Sequence, residues 1–294
     1  MKFPQFQYVR PASLPDALAL LGRYEGGAVP LAGGQSLLAG LSMRIAAPEC
    51  LVDIGGLDEL KGIALAGDGA TLRIGALTRH VELMRSPLVE RHAPLLREAI
   101  GYVGHAAIRN RGTFGGSLAY SDPAAEMPAC TVALGGVVVV AGPNGLREIA
   151  AGDFFRGLLE TALETGELIV EVRFPVRGEG ELHAVAELSR RAGDFALAGL
   201  AVQATVQDAR IRQARVVYFG CTDRPRVAPR VSALLAGRPV PLPADPGDLG
   251  GVDDAVAADI DPTDTPGCSA ATRRQLAVTL TRRALATLNQ RMPQ

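Results

Sequence analysis

Two short segments with paired glycines limit what this chain can build more than any other feature. The first is Pro30-Leu31-Ala32-Gly33-Gly34-Gln35-Ser36-Leu37-Leu38. The second, Ile108-Arg109-Asn110-Arg111-Gly112-Thr113-Phe114-Gly115-Gly116-Ser117-Leu118, has the same grammar of flanking apolar residues, glycine pair and hydroxyl. Adjacent glycines after a strand let the backbone turn with positive φ and bring its N–H groups against a ligand with no Cβ in the way. Gln35 and Ser36 add side-chain donors. Either segment alone reads equally well as an ordinary turn. Two of them, far apart in the chain, imply a long, phosphate-containing ligand held at both ends. Soon after the second, Asp122-Pro123-Ala124-Ala125-Glu126 starts a helix, and Glu126 is an acceptor suited to ribose hydroxyls. Neither segment is G-x-G-x-x-G or G-x-x-x-x-G-K-[ST], so an ordinary Rossmann or P-loop site is not what they form.

The rest of the chain alternates short strands and helices. Ser13 is placed to cap a helix with Pro15 in its first turn. Val29–Ala32, Leu51–Ile54 and Thr71–Ile74 read as strands, and Thr78 as the cap of a helix through Val81, Leu83 and Met84. Pro94–Val103 reads as helical, Ile108–Ala119 as a glycine-rich stretch, and Pro123–Leu134 as helical again. Val137–Val140 is a buried strand turning at Gly142-Pro143-Asn144-Gly145, and Leu168–Pro175 an alternating strand stopped by proline. The charged, glycine-bearing stretch Arg177–Glu181 is the expected domain boundary. Past it come antiparallel strands at Val202–Val206 and Ala214–Phe219, a short helix over 226–236, a long connection from Arg238 to Asp264, and a final helix from Ala271 to about Asn289. That helix places Leu276, Leu280 and Ala284 on one face. The fold class expected is α+β.

Several function classes are excluded at this level. With 30 basic and 31 acidic residues the formal net charge is −1, which gives no footprint for nucleic acid. Cys50, Cys130, Cys221 and Cys268 are too scattered for iron–sulfur or zinc ligation and read as buried thiols. His80, His92, His105 and His183 form no metal motif and are expected at the surface or in loops, with His105 bordering the second glycine segment. No metal site and no catalytic residue is assigned, and no serine has hydrolase context. Without a membrane span or a signal-peptide core, a cytoplasmic setting is expected.

AGGQSLL (32–38) and IRNRGTFGGSLAYSDPAAEMPA (108–129), with GELIVEVRFP (166–175) and LSRRAGDFAL (188–197), resemble the medium, FAD-binding subunit of the xanthine dehydrogenase and carbon monoxide dehydrogenase family. The resemblance runs nearly the whole chain. It implies a vanillyl-alcohol-oxidase-like (PCMH-type) FAD-binding fold of two α/β subdomains over residues 1–177, split near 56, and a C-terminal α+β domain with antiparallel strands over 178–294. It further implies that Leu31, Ala32, Gly33, Gly34, Gln35, Ser36 and Leu37 wrap the FAD pyrophosphate. Thr113, Gly115, Gly116 and Ser117 make the second contact, Glu126 meets the adenosine ribose, and Ile169 packs near the flavin ring. Two positions depart from the family's pattern: Ala39-Gly40 where a proline often follows the first loop, and Ser117 where asparagine or aspartate is common. Both keep the backbone donors.

The function implied is electron transfer. In such an enzyme a molybdopterin-binding large subunit oxidises the organic substrate and an iron–sulfur small subunit relays electrons to the flavoprotein, which hands them to NAD, oxygen or a quinone. Two further readings share the same loops: a non-catalytic FAD- or nucleotide-binding module, and a self-sufficient flavin oxidase. Phe195 is the candidate aromatic cover on the flavin, with a core phenylalanine after a turn as the alternative. Arg190-Arg191 reads either as a solvated pair or as a charge serving reduced flavin or a partner subunit.

Overall fold

The computed structural model describes residues 3–243 and 249–292. Ser13 caps the helix Leu14–Arg23, its hydroxyl accepting from the Asp16 amide at 3.3 Å. Ala17 and Leu21 on one face of this helix are buried. They cover a three-stranded parallel sheet ordered Gln7–Val9, Cys50–Asp53, Ala28–Leu31. Cys50, Leu51 and Val52 of the central strand are buried, as a short apolar strand between two neighbours must be. The first glycine segment begins where the Ala28–Leu31 strand stops, beyond the carboxyl end of a parallel strand. Open α/β sheets receive ligands at that edge.

A five-stranded antiparallel sheet follows, in the order Ile63–Leu65, Thr71–Gly75, Leu168–Pro175, Val137–Gly142, Gly145–Ala150. The valine run fills its middle, with Val138, Val139 and Val140 all buried. It turns into the edge strand through Gly145, whose φ of +95° suits glycine. Between Ile169 and Glu171 the Leu168–Pro175 strand carries a bulge, with Val170 the extra residue. Bulges re-aim neighbouring side chains, and this one lies beside the cavity described below.

Helices His80–Arg85, Pro87–His92, Pro94–Ala99 and Glu126–Ala133 supply Leu83, Val89, Leu95, Leu96 and Met127 to the same core as Leu72, Val172 and Phe174. Thr78 does not cap the first of them. Its hydroxyl is engaged with the backbone of Gly62, at 3.1 and 3.0 Å, and the Glu82 carboxylate instead accepts from the Arg79 amide at 2.7 Å. The helix expected over Pro94–Val103 ends at Ala99.

Residues 181–227 form a four-stranded antiparallel sheet, ordered Glu181–Ser189, Ala196–Gln207, Arg210–Phe219, Arg226–Val227. Both faces are covered. Leu200, Val202, Val216 and Tyr218 point to a cluster with the helices Pro229–Leu235, Val252–Asp259 and Ala270–Gln290. Ala201, Val217 and Phe219, one residue out of phase, join the cluster that the five-stranded sheet packs on. The expected strands are thus present but longer. Glu181–Ser189 was not foreseen, because a sheet buried on both sides loses the apolar–polar alternation that betrays a strand. The connection expected over Arg238–Asp264 carries the helix Val252–Asp259; its residues 244–248 lie outside the described residues.

Candidate functional site

A cavity of about 550 Å³ opens where the parallel sheet, the five-stranded sheet and the loop between the strands Glu181–Ser189 and Ala196–Gln207 meet. That is the size of a site for a substantial organic ligand. Of the residues singled out from the sequence, Ala32, Gly33, Gly34, Gln35, Ser36, Leu37, Thr113, Gly115, Gly116, Ser117, Glu126, Ile169 and Phe195 all line it. Leu31 does not; its side chain stands behind Gly34, 3.3 Å from where a Cβ on that glycine would sit.

The two glycine segments do different physical work. In the first, Gly34 has φ +72° and Ser36 lies near the right-handed helical region. Among the described residues the backbone N–H groups of Gly33, Gly34, Gln35 and Ser36 donate to no protein acceptor. Successive unpaired amides in such a turn make an anion-binding nest. The Gln35 amide group donates to the Gly33 carbonyl at 2.9 Å and so braces the turn.

The second segment is largely helical rather than a loop. Ala106–Arg109 and Phe114–Tyr120 are helices, and Thr113 caps the latter by accepting from the Gly116 amide at 3.2 Å. The amides of Phe114, Gly115 and Ser117 are spent on Thr78, Ala76 and Thr113 carbonyls at 2.9, 2.8 and 3.1 Å. These glycines therefore serve close approach and not N–H presentation. A Cβ on Gly115 would lie 2.6 Å from the Ala76 Cβ. The segments also touch each other: a Cβ on Gly33 would meet the Arg111 carbonyl oxygen and lie 2.8 Å from the Gly112 Cα.

Glu126, which lines the cavity, opens the helix Glu126–Ala133 and is 8% exposed. Burial, with Asp122 nearby, pushes its carboxyl up to about 7. Asp122 itself is raised by burial. Glu187, on the C-terminal sheet, is pushed up to about 8 by burial and by Glu126. Ile169, beside the bulge, lines the cavity as well. Phe195 also lines it, from the loop between the strands Glu181–Ser189 and Ala196–Gln207, and is 64% exposed, so it is not the core phenylalanine of the alternative reading. Its loop is seated firmly: Gly193, at φ +84°, packs so closely on His105 that a Cβ would lie 2.8 Å from Cε1. Arg190 turns away and donates to the Pro266 carbonyl at 2.7 Å.

The histidines correct an expectation. His80 and His183 are buried; His183 bonds Glu98 at 3.0 Å, and His80 lines the cavity. Burial, reinforced by Arg109, lowers the His80 imidazole to about 4. Nothing in the spacing of residues 78–80 signalled this, nor the presence of Tyr120 and Glu167 in the walls. The four cysteines are free and buried, as expected.

The family model described as the FAD binding domain in molybdopterin dehydrogenase matches residues 4–177. The chain belongs to this family. A second model, the carbon monoxide dehydrogenase flavoprotein C-terminal domain, matches residues 183–288. The caffeine dehydrogenase subunit beta of a Pseudomonas species is 38% identical over 83% of this chain and 83% of its own. The carbon monoxide dehydrogenase medium chain of Hydrogenophaga pseudoflava is 43% identical over 68% of this chain and 69% of its own. A solved structure of carbon monoxide dehydrogenase from Hydrogenophaga pseudoflava, lacking the Mo-pyranopterin moiety of its cofactor, superimposes with a TM-score of 0.94 at 35% identity over 100% of both chains. The fold is thus the PCMH-type FAD-binding α+β fold, and the chain is an FAD-binding, electron-transferring flavoprotein subunit of an oxidoreductase. Among the described residues no helix is long and apolar enough to cross a membrane.

Proposed function

We propose that the cavity holds FAD with its pyrophosphate on the amides of Gly33, Gly34, Gln35 and Ser36, its ribose toward Glu126, and its ring between Ile169 and Phe195. The observation that carries this reading is the run of four unpaired N–H groups facing a cavity of the right size. Buried or half-buried backbone donors seldom go unbonded unless a ligand supplies the acceptor. Thr113, Gly115, Gly116 and Ser117 form the opposing wall, where small residues let the nucleotide lie close. When bound, FAD supplies a ring that takes up two electrons and can exchange them singly. The chain's own residues bind that ring, orient it and exclude water from it.

The chain divides, on this reading, into an FAD-binding domain over 1–177 and a C-terminal domain over 178–294. Its partners are an iron–sulfur small subunit, from which electrons enter, and a molybdopterin-binding large subunit, which oxidises the organic substrate. An acceptor of the NAD, oxygen or quinone class takes the electrons away, in the cytoplasm. Support comes from the relatives, which are single subunits of larger enzymes by name, and from the cavity walls, where among the described residues no serine, threonine or tyrosine hydroxyl is hydrogen-bonded to a histidine or carboxylate. In the test, purified chain is mixed with organic substrates and then with an artificial reductant. The flavin stays oxidised with the first and bleaches with the second, and adding the two partner subunits makes bleaching substrate-dependent. Steady substrate turnover by the chain alone would instead establish a self-sufficient oxidase.

A further inference from the structure

One ring in the cavity wall has nitrogens that the fold itself does not use. His80 opens the helix His80–Arg85 and is 4% exposed. Its backbone amide donates to the Gly112 carbonyl at 3.0 Å. A Cβ on Gly112 would lie 2.9 Å from the imidazole Cδ2 and 3.3 Å from Nε2. The ring is thus wedged under the residue at which the second glycine segment meets Gly33 of the first. Nδ1 is sealed from solvent with no hydrogen-bond partner. Nε2 also lacks a partner among the described residues, but it is not sealed, and the residue lines the cavity.

This asymmetry favours one tautomer. An orphaned buried N–H is rarer and costlier than an orphaned lone pair. The sealed Nδ1 therefore keeps its lone pair, and Nε2 carries the hydrogen. Burial together with Arg109 keeps the ring uncharged, so what it presents to the cavity is a neutral donor. We propose that His80, as its Nε2–H tautomer, is a cofactor-positioning residue that donates a hydrogen bond to a phosphate oxygen of FAD where the two glycine segments converge. The inference rests on the FAD reading above. Being uncharged, His80 would contribute direction rather than attraction, alongside the amides of 33–36.

The experiment uses the full chain stripped of cofactor and labelled with ¹⁵N-histidine. Long-range proton–nitrogen spectra should show one histidine as the Nε2–H tautomer at neutral pH, with its Nε2 resonance moving on addition of FAD. That resonance should be missing in His80→Leu. The dissociation constant for FAD, read by flavin fluorescence quenching, should rise about tenfold to a hundredfold in His80→Leu, and His80→Gln, which keeps an N–H donor, should restore most of it. Wild-type affinity in His80→Leu, or no rescue by His80→Gln, overturns the proposal. Should the variants fail to fold, the wild-type spectrum decides alone: an Nδ1–H tautomer, or an Nε2 resonance that FAD leaves unmoved, overturns it. Wild-type chain that takes up no FAD would defeat the cofactor reading beneath the proposal, a result distinct from any of these.

Discussion

Gly33→Ala is the sharpest perturbation of the site, because it separates what the glycine does for its own backbone from what it does for the neighbouring segment. Gly33 is not among the positive-φ glycines, so alanine introduces no backbone strain; it removes some freedom from the unfolded chain, worth about 0.4–1 kcal/mol in favour of folding. Its methyl, however, would lie 2.8 Å from the Gly112 Cα and closer still to the Arg111 carbonyl oxygen. Ordinary contact begins at 3.4 Å, and the closer contact with the Arg111 oxygen sets the shift, so the segments must part by about 1 Å. A shift of that size spoils the aim of the amides on a shared diphosphate. Losing two charge-assisted bonds at about 1.5–3 kcal/mol each weakens FAD binding by roughly two to four orders of magnitude. The cofactor-free fold should lose only about 1–3 kcal/mol to overpacking, a few degrees in Tm. Gly40→Ala is the control, since a Cβ there meets nothing within 4 Å; it should bind FAD as wild type does. The measurements are a flavin fluorescence titration and a thermal melt on cofactor-free protein. Gly33→Ala binding FAD within about threefold of wild type would refute the argument that contact between the segments builds the cradle.

Three further outcomes follow from the site. The native His80 ring stays neutral down to about pH 4, whereas in the unfolded chain it takes a proton near 6.5, so the unfolded state binds more protons between these values. Stability should therefore fall as pH drops from 6.5 to 4, by up to about 3 kcal/mol, and urea melts of His80→Gln should show a shallower fall. Glu126 behaves oppositely: with its native carboxyl raised to about 7, the stability of the protonated form is complete below about pH 4.5 and is lost as pH rises through 7. Ribose hydroxyls donate best to the ionised form, so FAD affinity should climb between pH 6 and 8. Glu126→Gln should abolish most of that climb; a titration series as steep as wild type would count against a ribose contact. Phe195→Ala should leave the melting curve unchanged within about 0.5 kcal/mol, because the ring is largely exposed, while moving the flavin spectrum and reduction potential. Identical spectra would remove Phe195 from the flavin.

How much of this was legible beforehand depended on whether one residue carried its own signal. Ser13 and Pro15 announced a helix start through local chemistry alone, and Leu168–Pro175 announced a strand through composition and a terminating proline; both elements stand at those positions. The first glycine segment was legible for the same reason, since a turn after a strand that needs φ +72° is a local demand. The second was read as a loop because Gly115 and Gly116 score as helix breakers. Thr113 ahead of Phe114 was an available cap signal, but the decisive reason for glycine there is the Ala76 methyl, a tertiary neighbour no local pattern reveals. Burial of His80 is of the same kind. The helix Val252–Asp259 escaped because few of its residues face the core, chiefly Val252 and Val256, and the surrounding prolines and aspartates outweighed them.

The loop bearing Phe195 is anchored through Gly193 on His105, while the amides proposed to meet the diphosphate follow the last residue of a strand in a different sheet. On the proposed reading, retention of the cofactor and the electrical character of its ring fall to parts of the chain that can vary separately. A lineage could exchange the short stretch around Phe195, and with it the potential at which electrons leave, without loosening its hold on the nucleotide. The same scaffold could in that way be matched to acceptors of very different driving force.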